Sequence, residues 1–196
     1  MKALLAMACF LFGTAAANAG ADLAPIEAIW MPQVVNFVYR AGDTIYTCSG
    51  LWQKLAGMLV YVGARPAAAS DRLKCDAAAG TVTLQFALES PVAATPENLR
   101  VLTHFDTQDL LVARLQGKQL PTEEDVKRFP AAWRTLSFRD SRLQLTAGDC
   151  ELVRQVRRQI LPKLSVEIVS EPPVCSSLLV LGGRPSMKVR ALLVAG

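Results

Sequence analysis

One histidine, His104, is the only imidazole in this 196-residue chain. A lone histidine excludes metal sites that need two, and it leaves any Ser-His-Asp triad a single possible base. Aromatic residues are also scarce, at 7%. The chain has no phosphate-binding G-x-x-x-x-G-K, no G-x-G-x-x-G and no C-x-x-C, so the common nucleotide, dinucleotide and paired-thiol signatures are missing. No run after the N-terminal segment is long and apolar enough to span a bilayer of ~30 Å, which takes ~20 residues. The best stretch, 174–195, is interrupted by Arg184, Pro185, Lys188 and Arg190.

What is present is apolar and ordered in character. The chain is 52% hydrophobic and 19% charged, far from a disordered composition. Residues 1–19 read as a cleavable export leader. They comprise a basic start at Met1-Lys2, an apolar run over 3–17 and the small-x-small site Ala17-Asn18-Ala19. The mature chain is expected to start at Gly20 and to reside in the periplasm or be secreted, with no transmembrane segment. Cys9 leaves with the leader, and Cys48, Cys75, Cys150 and Cys175 remain. An even count in an exported chain implies two disulfides. Sequence alone allows three pairings, but the intervals Cys48 to Cys75 and Cys150 to Cys175 are nearly equal. That spacing favours bridges within each interval, each contributing roughly 3 kcal/mol in the chain-entropy model.

The two intervals sit in similar surroundings. Alternating runs at 34–40 and 44–47, joined by Ala41-Gly42-Asp43, resemble those at 134–139 and 142–146, joined by Asp140-Ser141. Both read as hairpins. Each leads into an apolar stripe at helical spacing. The first is Leu51, Leu55, Leu59 and Val62, capped by Ser49 and closed by Gly63. The second is Leu152, Val156 and Ile160, capped by Asp149 and stopped at Pro162. Strands are expected at 81–88, 164–169 and 187–194, with a weaker one at 67–74. The fold class is therefore α+β. It comprises two disulfide-stapled copies of a hairpin–helix–strand–strand module, with an antiparallel sheet and helices on one face. The modules cover 20–89 and 133–196, and 20–196 can equally form one compact domain. An ordered, proline-punctuated segment, 90–132, is expected to dock them. It contains a strand at 99–105, a helix at 109–115 capped by Thr107, and a helix start at 122–125.

Function has to be read from charge. Residues 20–132 carry ten basic and twelve acidic side chains, whereas residues 133–196 carry ten basic and five acidic. In the second helix Arg154, Arg157 and Arg158 lie off the apolar stripe and share a solvent face. Such a face attracts an anionic envelope component or an acidic protein. Acids at Asp106 and Asp109, and at Glu123, Glu124 and Asp125, read as helix-start residues. The expectation is an exported, soluble, non-enzymatic binding or accessory protein of the cell envelope, without metal, cofactor or nucleic acid. The alternatives are a small hydrolase-like enzyme using His104 with a nearby acid, and a purely structural partner subunit.

Overall fold

The computed structural model describes residues 24–42, 44–66, 73–171 and 185–195. The leader, Cys175, Arg184 and most of the 67–74 stretch lie outside the described residues. Among these residues the fold is α+β, with an antiparallel sheet and four α-helices. In chain order the elements are β1 (Ile26–Arg40), α1 (Cys48–Tyr61), β2 (Arg65–Pro66), β3 (Lys74–Ala78), β4 (Thr81–Ala93), α2 (Pro96–Thr103) and α3 (Thr107–Leu115). They continue with β5 (Phe129–Ser137), α4 (Cys150–Gln159), β6 (Val166–Ser170) and β7 (Lys188–Val194).

The long strands β1 and β4 pair from Ala28↔Ala93 to Arg40↔Thr81. Alternation along them puts Val35, Phe37 and Tyr39 of β1 on one buried face with Val82, Leu84, Phe86 and Leu88 of β4. Pro32 and Pro91 are tolerated because the backbone nitrogens at those two positions point away from the partner strand. On its other side β1 pairs with β5 only briefly, around Glu27↔Pro130. Strand β5 then pairs with β7, and β7 with β6. The sheet thus runs β3-β4-β1-β5-β7-β6, with β2 beside β3 on β4. The first three strands of this order come from the first half of the chain, and the last three come from the second.

Helices α1 and α4 cover the buried face. Leu51, Leu55, Met58 and Leu59 of α1 join Leu152, Val153 and Val156 of α4, with Ile160 at its C-cap, in one cluster that draws on both halves. A smaller cluster of Ala28, Ala131 and Leu192 lies where β1 meets β5. Helix α1 ends at Gly63, whose φ of +88° favours glycine. A β-carbon there would come within 2.6 Å of the Leu193 side chain and 3.0 Å of the Leu192 carbonyl. Trp52 packs edge-on against Phe86 at 5.1 Å, while Trp30 and Trp133 stand within β1 and β5.

Several expectations need correction. Neither hairpin forms, because 44–47 and 142–146 are loops and short 3-10 turns. Their alternating side chains are used locally instead. Thr47, not Ser49, caps α1 by accepting from the Gly50 N–H at 3.1 Å, and Thr44 bonds the Gly148 carbonyl at 2.9 Å. The stretch 99–105 is not a strand. Thr95 and Pro96 start α2 there, because the threonine side chain accepts from the Asn98 N–H and proline suits the first helical position. Asp106 rather than Thr107 caps α3, in a reciprocal capping box with Asp109. Residues 122–125 form a single turn closed by the Asp125 carboxylate, not a helix. Of the middle segment, Phe129, Pro130 and Ala131 are the start of β5 and pair with β1, so its C-terminal end is where the halves meet.

Candidate functional site

On the edge of β1 away from β4, no strand lies beside the stretch after Ala28 among the described residues, because β5 pairs only with Ile26–Ala28. An uncovered strand edge offers unpaired donors and acceptors. Helix α4 closes this one with two glutamines. Gln155 accepts from the Arg40 N–H at 2.9 Å and donates to the Arg40 carbonyl at 2.8 Å. Gln159 does the same for Val38, at 3.0 and 2.8 Å. The match is geometric. Four helical residues rise about 6.0 Å and two strand residues about 6.6 Å, so amides at i and i+4 meet backbone groups at j and j−2. The helix end is also tied down, because Gln33 of β1 donates to the Lys163 carbonyl at 3.3 Å.

Above this seam lies an open groove of about 680 Å³ between β1 and α4. It is lined by Arg40, Gly42, Glu151, Arg154, Gln155 and Arg158, among others. Arg40 and Arg158 are exposed, and neither pairs with a carboxylate among the described residues. Arg154 forms an ion pair with Glu151, whose other oxygen accepts from Gln155 at 2.7 Å. The Nε of Arg154 is buried and has no partner among the described residues, which leaves an unused donor beside the groove. Arg157 turns the other way and pairs with Glu171. The three sequence-selected arginines are therefore not equivalent, since Arg154 and Arg158 share the groove and Arg157 does not. Arg40, which completes the basic lining, carries no sequence signal of its own. Only the fold brings it to α4.

A comparable groove of about 740 Å³ lies between α1 and β5, lined by Ala56, Gly57, Val60, Tyr61, Arg134 and Arg142, among others. Counted from the cysteine that starts each helix, Ala56 and Gly57 hold the positions that Arg158 and Gln159 hold in α4. Arg142 is held there by Asp140, at 2.7 Å, and stacks over the Tyr61 ring.

A buried polar cluster joins the loops ahead of the two helices. Asp149 was expected to cap α4, but its side chain turns back instead. Its carboxylate accepts from the Thr146 N–H at 2.6 Å, the Thr146 hydroxyl at 2.9 Å, the Lys54 ammonium at 3.1 Å and the Tyr46 hydroxyl. Burial alone pushes this carboxyl up, but the hydrogen bonds from Tyr46, Thr146 and Lys54 together hold it below its usual value. Tyr46 is pushed well above the ordinary phenol value, first by burial and then by the carboxylate it faces. A neutral tyrosine and an ionised aspartate suit a fixed brace between loops.

Cys48 and Cys75 form a disulfide with Cα atoms 6.1 Å apart, which fastens the start of α1 to β3. Cys150 carries no free thiol, and Cys175, its expected partner, lies outside the described residues. His104 is an exposed C-cap residue of α2, away from both grooves. Among the described residues there is no group of histidine, cysteine and acidic side chains that could hold a metal ion. No helix there is long and apolar enough to cross a membrane. No protein-family profile, curated protein or solved structure matches the chain.

Proposed function

We propose that this chain is an exported binding or accessory protein of the cell envelope that holds an anionic group in the groove between β1 and α4. The observation that carries the reading is the pair Arg40 and Arg158. They are exposed, lack carboxylate partners among the described residues and come from different halves of the chain, yet they line one groove. With Arg154 they place three guanidiniums against one carboxylate, Glu151. Guanidiniums present forked donors suited to phosphate, sulfate and carboxylate oxygens. The Gln155 and Gln159 seam fixes β1 to α4, so the backbone positions that carry Arg40 and Arg158 are held facing one groove. The Cys48–Cys75 disulfide supports an oxidising, extracytoplasmic location with residues 1–19 as leader.

We read the two halves as copies of one module with a second bridge, Cys150–Cys175. The order strand, loop, cysteine-started helix, then two paired strands occurs twice, and the strand order is the same from either sheet edge. On this reading one copy kept Ala56 and Gly57 in its groove, while the other acquired Arg158 and Gln159. The enzymatic alternative finds no support at His104, whose ring bonds no carboxylate or hydroxyl among the described residues.

The test is retention on a sulfated polysaccharide column and on anionic vesicles across a salt series, for the mature protein and for Arg40→Glu/Arg158→Glu. Exposed charges contribute little to stability, so the variant should fold normally. It should elute at clearly lower salt on at least one matrix. Equal elution of the two forms on both matrices would overturn the proposal.

A further inference from the structure

Helices α2 and α3 follow the end of β4 and contribute few residues to the core, Leu99 of α2 being buried. In α3 only Ala113 is buried. Leu110, Leu111 and Leu115 are 53%, 54% and 87% exposed, and Val112 is exposed as well. At 3.6 residues per turn, Leu111 and Leu115 stand opposite Ala113, so the apolar stripe faces away from the body of the protein. A nine-residue helix is marginal in water by itself. Such a helix normally turns its leucines inward, and this one turns them outward. A contiguous aliphatic patch of this kind marks an interaction surface.

Charge along the helix indicates the partner. Asp106 and Asp109 lie at its N-terminal end, and Arg114 and Lys118 at its C-terminal end. None of these charges forms an ion pair among the described residues. Two such helices laid antiparallel bring leucine stripe onto leucine stripe. Each acidic end then meets a basic end, and the two helix dipoles oppose. This is the self-complementarity of a two-fold interface, in which residue i meets j and j meets i.

We propose that α3 is a self-association surface, seating a second copy of this chain through Leu111 and Leu115 in an antiparallel helix pair. A helix of nine residues is about 14 Å long, so its face falls short of the about 800 Å² per partner of a standard stable interface. The dimer is therefore concentration-dependent rather than obligate. It carries two basic grooves and so gives avidity to a repetitive anionic surface.

The experiment is sedimentation equilibrium of the mature protein over roughly a hundredfold range of concentration, where mass action decides the state. Leu111→Asp and the uncharged Leu111→Ala/Leu115→Ala are run beside the wild type. Circular dichroism checks that both variants fold. Leu111→Cys, treated with a short thiol-specific cross-linker, tests geometry, because Leu111 lies near the proposed two-fold axis. Val34→Cys, exposed on the sheet, is the control. The proposal expects a wild-type dimer, weakening of roughly tenfold or more in both leucine variants, and cross-linking at position 111 alone. A wild type that stays monomeric throughout overturns it, as does a dimer indifferent to Leu111 and Leu115. Monomers that float with zwitterionic vesicles through those leucines overturn it as well.

Discussion

Replacing Gln155 and Gln159 tests whether the helix-to-strand seam holds the groove together. Each side chain makes two hydrogen bonds to one residue of β1, four in all, between 2.8 and 3.0 Å. A neutral hydrogen bond contributes about 0.5–1.5 kcal/mol net. The β1 edge borders an open groove, so water partly replaces what is lost. Gln155→Ala or Gln159→Ala should then cost about 1–2 kcal/mol, and the pair about 2–4 kcal/mol. Gln159→Glu separates the two bonds, because a carboxylate still accepts from the Val38 N–H but has no hydrogen for the Val38 carbonyl. Urea unfolding at neutral pH measures that loss. Hydrogen exchange at the Val38 and Arg40 amides reports the seam directly. A double alanine variant that loses less than about 0.5 kcal/mol, with exchange at both amides unchanged, would refute the reasoning.

The remaining expectations concern the brace and the bridges. Tyr46→Phe removes one donor from the Asp149 carboxylate and should cost about 1.5–3 kcal/mol in urea unfolding. Because the folded Asp149 value is depressed, its contribution is full above the ordinary aspartate range and lost as pH falls through the folded value. Losing the tyrosine should therefore move acid unfolding to higher pH, which a fluorescence titration reads. Cys48→Ala/Cys75→Ala opens a 27-residue separation and should cost about 3–4 kcal/mol by thermal or urea unfolding. Peptide mapping without reductant should recover Cys150 joined to Cys175, and a peptide joining Cys150 to any other cysteine would refute the second bridge.

Sequence revealed those parts of this fold that repeat with a period. The stripes Leu51, Leu55 and Leu59 and Leu152, Val156 and Ile160 are buried as their spacing requires, and so is the alternating set from Val82 to Leu88. Short alternations were less informative. Residues 44–47 alternate like a strand, but their threonines cap and bridge loops, and Tyr46 reaches a carboxylate 103 residues away. In 99–105, apolar and β-branched residues suggest a strand, yet the local start signal at Thr95-Pro96 prevails, and among the described residues no strand pairs with the stretch. The groove was half legible. Helical spacing places Arg154 and Arg158 off the apolar stripe, but only tertiary structure brings in Arg40 and assigns Arg157 to Glu171. The glutamine seam was not legible at all. Its partners are backbone atoms 115 and 121 residues distant, and a backbone atom leaves no trace in a side-chain pattern.

The central claim is that the groove between β1 and α4 receives an anionic group. The most direct measurement is a two-dimensional NMR titration of the labelled protein, residues 20–196, with a short sulfated oligosaccharide at low and physiological salt. The account predicts shifts concentrated at the Arg40 and Gly42 amides, the Gln155 and Gln159 side-chain amides and the Arg154 and Arg158 guanidinium Nε–H signals. These should weaken steeply as salt rises, over a Debye length of about 8 Å at physiological ionic strength. Shifts that centre on the groove between α1 and β5, spread evenly over the surface or fail to appear at low salt would contradict it.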